Sequence, residues 1–415
     1  MRMHAHYMGL AGPALRTAIG VTAGLCFLAF GYGQGDIGGL MVMQTFHEKF
    51  LSFGVGADAS RSQLIYQANM DGVTVAMWNL GCFFGAFLTI FLGDRLGRKG
   101  SIITGLVIEI LGKIVQVSTF GTGQYMAGRV IAGIGNGYVD KVSFDSEYAN
   151  CTRFIASTIP AWQAECLKTH RRGTLLLVSF GTCITLGVMI AYWVLYGLSF
   201  AQPSSVAWRF PIIFSLVFIL PALVIVIFMP ESPRWLILKA REQEAIHVLS
   251  ALNELPEDHE DIRREVLQIK NAVKSMASTS ASGVFSMGEY RYRHRVVLAV
   301  LLQVMQQFTG VNLFIQYLGA MFYEQIYYGA AKSMLLAGVT STIFFIASLG
   351  AVILIDRYWG RRSLTMFGAS GMCLCMILLA IFNYVGDQGH AYGYDVMTAF
   401  VIVYVICKSL IAPIP

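Results

Sequence analysis

The chain of 415 residues is 56% hydrophobic and 13% charged, with a mean hydropathy of +0.60. Soluble domains carry roughly 25% charged residues, so this composition excludes a water-soluble enzyme or binding module and fits a protein whose solvent is largely lipid. The net charge of +6 sits beside the ends of apolar runs, where cations set membrane orientation, so the expected partner is the lipid bilayer and no nucleic acid is expected.

Residues 1–16 read as a short cytoplasmic tail. Apolar runs long enough to cross a bilayer as helix follow near 17–41, 70–92, 101–119, 124–165, 173–197, 210–229, 296–318, 333–355, 363–384 and 395–412. They predict an all-α membrane protein with two helical bundles, 17–234 and 296–415. Basic loops after the second run (Arg95, Arg98, Lys99), the fourth (Lys168, Arg171, Arg172) and the eighth (Arg357, Arg361, Arg362) place the start of both bundles in the cytoplasm. The polar segment 235–295 between them reads as a cytoplasmic linker of short amphipathic helices carrying Glu/Lys/Arg pairs. The 8 cysteines lie mostly inside apolar runs, without C-x-x-C or metal-ligand spacing, so neither a disulfide framework nor a metal or other cofactor is expected. No nucleophile–base pair or phosphate loop suggests an enzyme.

Three charged elements punctuate the runs. Gly93-Asp94-Arg95-Leu96-Gly97-Arg98-Lys99 closes the second, Pro230-Glu231-Ser232-Pro233-Arg234-Trp235 follows the sixth, and Asp356-Arg357-Tyr358-Trp359-Gly360-Arg361-Arg362 closes the eighth. The repeat of the first element in the third is the duplication expected of two related bundles. The seventh run holds Gln306-Gln307-Phe308-Thr309-Gly310-Val311-Asn312. Together these motifs resemble the sugar porters of the major facilitator superfamily, fungal in style, over almost the whole chain. The resemblance implies two six-helix bundles that rock about a central sugar site, a fold of twelve spans of which ten are present here.

Acids and bases at facing helix ends can pair and separate as bundles move. In the resembled family Asp94, Arg95, Arg98, Glu165, Arg172, Glu231 and Arg234 would form such a cytoplasmic gate, with Arg361 as its second-bundle member. In that second element the acid is displaced by one residue, Asp356 standing before Arg357. Amides in an apolar span mark a polar cavity or interhelical hydrogen bonds. A carboxamide donates and accepts at once, as vicinal sugar hydroxyls require, and the resemblance makes Gln306, Gln307 and Asn312 the substrate-binding residues, with Thr182 and Thr185 in the fifth span. In proton-coupled members an Asp occupies the position held here by Gly33; Asp36 stands three residues later and reads equally as a proton carrier or as a cap near the outer end of the span. Facilitated diffusion and proton symport both stay open. Glu109, inside the third run, has no role in this reading.

The pattern breaks twice. Between Gly137 and Phe154, the block Tyr138–Arg153 carries Asp140, Lys141, Asp145, Glu147 and Arg153 at membrane depth, each costing roughly 2.5–3.5 kcal/mol on insertion scales. Its removal restores the motif, and it reads as an intron-derived insert, with a family-specific loop as the alternative. From about Val403 the family pattern is lost and the last two spans are missing. The expected function is monosaccharide transport, of a hexose, in the plasma membrane; the alternatives are a truncated non-transporting product or a sugar sensor on the same fold.

Overall fold

The structure is a computed structural model that describes residues 7, 9–50, 61–140, 158–167, 178–277, 292–326, 329–357, 361–388 and 392–411. Among these there is no strand beyond an isolated Tyr7–Leu10 bridge. In chain order the helices are α1 (Gly12–Leu40), α2 (Gln44–Phe50), α3 (Arg61–Val117), α4 (Thr122–Asp140), α5 (Thr158–Cys166), α6 (Cys183–Ser199, entered through a π-helical turn at Val178–Thr182), α7 (Val206–Phe214) and α8 (Leu216–Phe228). They are followed by α9 (Pro233–Leu238), α10 (Glu242–Asn253), α11 (Glu260–Ala277), α12 (Tyr292–Phe308), α13 (Val311–Ala320), α14 (Ala330–Arg357), α15 (Arg361–Asp387) and α16 (Tyr392–Ile411). Seven helices among the described residues are long and apolar enough to cross a membrane on length and hydropathy alone.

α3 is two membrane limbs. Gly97 takes φ +80° and ψ 179°, a conformation open to glycine and costly for any residue with a β-carbon, and the chain folds back there. The neighbours on α4 confirm the reversal. Gly81 and Gly85 of the first limb approach Val130 and Ile134 in parallel order, whereas Gly105 and Gly112 of the second approach Val139 and Ala132 in reverse order.

Most of these α3–α4 contacts are backbone to backbone. A β-carbon at Gly133 would overlap the Trp78 carbonyl, one at Gly137 the Cys82 carbonyl, and one at Gly135 the Glu109 amide. Small residues serve lipid-embedded helices this way, because close approach supplies the dispersion energy that lipid cannot. α1 and α6 are joined by the same device: Gly31 lies against the Ile184 carbonyl and Gly187 against the Leu28 carbonyl. The first bundle is thus built from two tightly locked pairs.

The fourth rod is interrupted. α4 continues through Tyr138 and Val139, both buried, and α5 resumes at Thr158, whose hydroxyl donates to the Tyr138 carbonyl at 3.2 Å. The first residues of the expected insert are therefore the last turn of α4; the rest of it lies outside the described residues. On the polar side, Ser232 caps α9 by accepting the Trp235 N–H at 3.3 Å. α9, α10 and α11 then pack Leu236, Val248, Leu249 and Ile262 beneath α1 and α8. Arg264 reaches Glu260 one turn earlier at 2.6 Å, a helical charge pair of the kind read from the sequence, and Lys270 of α11 reaches Glu242 of α10 at 2.5 Å.

The two groups of helices meet along α1 and α6 on one side and α13 and α14 on the other. Gly38 and Gly319 pass so closely that a β-carbon on Gly319 would overlap the Gly38 carbonyl. The Tyr192 hydroxyl donates to the Ile315 carbonyl at 2.8 Å, Trp193 Nε1 donates to Thr342 Oγ1 at 2.9 Å, and Thr185 and Ser348 share a 2.9 Å hydroxyl bond.

Candidate functional site

The densest polar chemistry inside the first bundle is a cluster of four ionisable side chains and an amide. Asp36 comes from α1, Glu109 and Lys113 from the second limb of α3, and Arg129 and Asn136 from α4. Glu109 and Lys113 are four residues apart and Arg129 and Asn136 seven apart, so each pair shares one helix face. All five are at most 3% exposed, which removes solvent screening from every charge among them. Lys113 Nζ meets Asp36 Oδ2 at 3.1 Å and Arg129 Nη1 stands 3.6 Å from Asp36 Oδ1. Asn136 Nδ2 donates to Glu109 Oε1 at 3.3 Å. Asp36 therefore does not cap its helix; it is the anion that two cations share. Gly33, where the resembled family has its Asp, lies beside Trp78 and within reach of the Lys113 ammonium.

A second cluster sits at helix ends. The Glu231 carboxylate accepts the backbone N–H of Arg98 at 2.9 Å, of Lys99 at 3.1 Å and of its neighbour Ser232 at 2.9 Å. The first two are free because Gly97 breaks the helix just before them, leaving orphan amides at a positive helix end. Burial pushes the Glu231 carboxyl above its usual range, and these three amides and the Arg98 charge oppose that shift. Arg98 Nε faces Glu165 at 3.7 Å, and Ser232 Oγ donates to Glu165 at 2.5 Å. The sequence predicted side-chain pairs here; for Glu231 the structure substitutes backbone amides for arginine. Arg95 is exposed. The side chains of Asp94 and Arg361, and all of Arg172, fall outside the described residues, and Arg234 lies in the first turn of α9.

The amide signature spans a second glycine break. Gly310 takes φ +74° between α12 and α13, and Asn312 Nδ2 donates across it to Gln307 Oε1 at 2.8 Å. Gln306 and Gln307 are exposed. Thr182 is buried in the π-helical turn, its hydroxyl without a hydrogen-bond partner among the described residues, and Thr185 is occupied by Ser348. A crevice beside Thr340, Ser341, Phe314 and Tyr404 opens next to this seam.

Sequence reasoning missed Lys113 altogether and left Glu109 unplaced. The signal was present: an acid and a base one turn apart within an apolar run are costly unless they serve something. It also missed Gln316, buried on α13, whose Oε1 accepts from Asn79 Nδ2 at 3.3 Å.

Residues 19–415 match the family model described as Sugar (and other) transporter. The chain belongs to that family. Within it, the sugar transporter STL1 of Saccharomyces cerevisiae is 35% identical over 89% of this chain, which spans 62% of that relative's length. The low-affinity glucose transporter HXT1 of the same yeast is 28% identical over 89% of this chain and 62% of its own. The major facilitator superfamily transporter mfsA of Aspergillus fumigatus is 31% identical over 89% of this chain and 66% of its own. Among solved structures, the xylose transporter XylE from E. coli in a partially occluded inward-open conformation superposes with a TM-score of 0.73 at 22% identity, covering 96% of this chain and 85% of that one. The chain thus has the major facilitator fold of this transporter family, and its relatives are named as transporters rather than enzymes.

Proposed function

We propose that this protein carries a monosaccharide, in the first instance a hexose, across the plasma membrane by alternating access between its two bundles, with a proton moving alongside. The observation that carries the reading is the broken seventh rod. Gly310 sets Gln307 and Asn312 side by side in the rod whose next helix, α13, accepts the Tyr192 hydroxyl at Ile315 across the seam between the bundles. Amides at a seam between moving bundles are suited to vicinal hydroxyls, which both donate and accept. Gln306 and Thr182 complete the proposed pocket. The names of relatives support a sugar substrate: HXT1 is a glucose transporter, and XylE is a proton:xylose symporter.

The helix-end cluster then serves as the cytoplasmic gate, with Asp94, Arg95, Arg98, Glu165, Arg172, Glu231, Arg234 and Arg361 as its members. With the N-terminal tail and the linker 235–295 in the cytoplasm, the end at which Gly38 and Gly319 touch is the outer one, so the arrangement corresponds to a state closed outside. Uptake of radiolabelled glucose into vesicles containing the protein tests this. The expected result is uptake that falls about tenfold in Gln307→Ala, the loss of roughly one hydrogen bond to substrate. Normal uptake by that variant removes Gln307 from the site, and no uptake by the unaltered protein removes the transport reading.

A further inference from the structure

The buried cluster lies on the boundary between the two locked helix pairs. α3 and α4 touch through their backbones, as do α1 and α6, so each pair is a closely packed unit. Among the described residues, the ion pairs that cross from one pair to the other are those of Asp36 with Lys113 and with Arg129. They form a clasp, and α1 is also the helix that meets α13 of the second bundle. Whatever opens or closes the clasp changes how the inner wall of the first bundle is held.

Two acids compete for Lys113. Asp36 on α1 holds it at 3.1 Å, and Glu109 stands one turn earlier on the same face of α3, the order in which a Glu–Lys pair on a helix is favourable. Asp36 and Lys113 both interact electrostatically with Glu109. The other groups facing Glu109 come from α4: the Asn136 amide that donates to it, and Arg129, whose charge is taken by Asp36 and which the Tyr125 phenol also faces. Were both acids ionised, Lys113 would be drawn to its own-helix neighbour as strongly as to Asp36. Its seat on Asp36, with Asn136 rather than Lys113 as the hydrogen-bond donor to Glu109 among the described residues, is the arrangement expected when Glu109 is uncharged. The cluster is also incompletely bonded: Asp36 Oδ1, Arg129 Nε and Nη2 and Asn136 Oδ1 have no hydrogen-bond partner among the described residues. A buried network with unmade bonds sits close to its alternatives in free energy.

We infer that Glu109 is the proton-binding residue of this bundle and that Lys113 moves between Glu109 and Asp36 according to whether the proton is there. The proton adds to a Glu109 carboxylate oxygen to give the neutral acid; Lys113 stays an ammonium ion throughout, and Asp36 stays ionised beside Arg129. With Glu109 protonated, Lys113 seats on Asp36 and clasps α1 to α3. On release of the proton, Lys113 returns to Glu109 and α1 is held to α4 by Arg129 alone. Asp36 is then the fixed counter-ion and Glu109 the site that exchanges. The use of this clasp in transport rests on the function proposed above, but the location of the proton does not and is tested without substrate.

Infrared difference spectra of the purified full chain between acidic and alkaline buffer read the C=O stretch of a buried carboxylic acid. The expected result is a band that Glu109→Gln removes and whose frequency shifts in Asn136→Ala, which removes the N–H donor, while the bands of other acids such as Glu231 persist in both variants. If Glu109→Gln removes no band, the proton lies elsewhere and the inference is overturned; if that variant does not fold, a spectrum with no band moved in Asn136→Ala overturns it equally. Failure of glucose uptake with the band present and Glu109-dependent rejects the transport reading and leaves the proton on Glu109.

Discussion

The first bundle contains two acid–base clusters that differ in what answers their carboxylates. At the helix ends, Glu231 is met by three backbone amides whose positions are fixed by the Gly97 break and the turn at Ser232. In mid-bundle, Asp36 is met by the tips of two long flexible side chains, and several of the cluster's polar atoms have no hydrogen-bond partner among the described residues. The first arrangement is held by backbone donors of fixed position, as suits a latch. The second is desolvated, held by movable groups and supplied with a spare acid in Glu109, as suits a switch. Backbone amides hold one geometry; lysine and arginine can hold several.

The contrast can be broken most forcefully at Asp36. Asp36→Leu removes the anion that both buried cations share, and the expected cost is about 3–5 kcal/mol, seen as a large fall in the thermal unfolding temperature of detergent-solubilised protein. Gly97→Ala attacks the latch instead. An alanine there must adopt φ near +80° with its β-carbon 2.6 Å from Glu231 Oε2, and a loss of about 1–3 kcal/mol is expected, with the same measurement as the check; an unaltered unfolding temperature would show that the break tolerates a side chain. The smallest effect concerns pH. Folded Glu231 holds its proton more tightly than the unfolded chain, so from the ordinary carboxylate range of about 4 upward to its raised value the folded state binds more protons. Stability contributed by this group therefore falls as pH rises through that window. Glu231→Gln should flatten this part of the stability–pH profile, and an unchanged slope would assign it to another acid.

Much of this was legible in the sequence, for identifiable reasons. Helix rods follow from apolar length alone, and the reversals from glycine and charge at their ends, so the order of spans and the amphipathic helices of the linker are recovered. Gly310 was readable as a bend because it interrupts an apolar run between amides. Arg98, Glu165 and Glu231 were readable as a group because their motifs lie at span ends. Partners were not readable. Asp36 and Lys113 are 77 positions apart, and nothing local to either names the other; the choice of backbone amides by Glu231 depends on the reversal at Gly97 being placed against the start of α9. Lys113 was overlooked because a single lysine hardly lowers the hydropathy of its run, although its four-residue spacing from Glu109 was there to be counted.

The backbone seam between α3 and α4 bears on how the molecule is made. Residues 61–140 contain both partners of that seam, separated by a short turn after Val117, so the contacts are local along the chain and quick to form. A newly synthesised chain entering the bilayer can close this block while α6 is still unmade. α1, already inserted, must wait for α6 before its own glycine face is covered. Assembly is thereby staged: a preformed three-limb block first, then α1 and α6 closing on it, with the charges of Asp36, Glu109, Lys113 and Arg129 sealed from water only at the second stage.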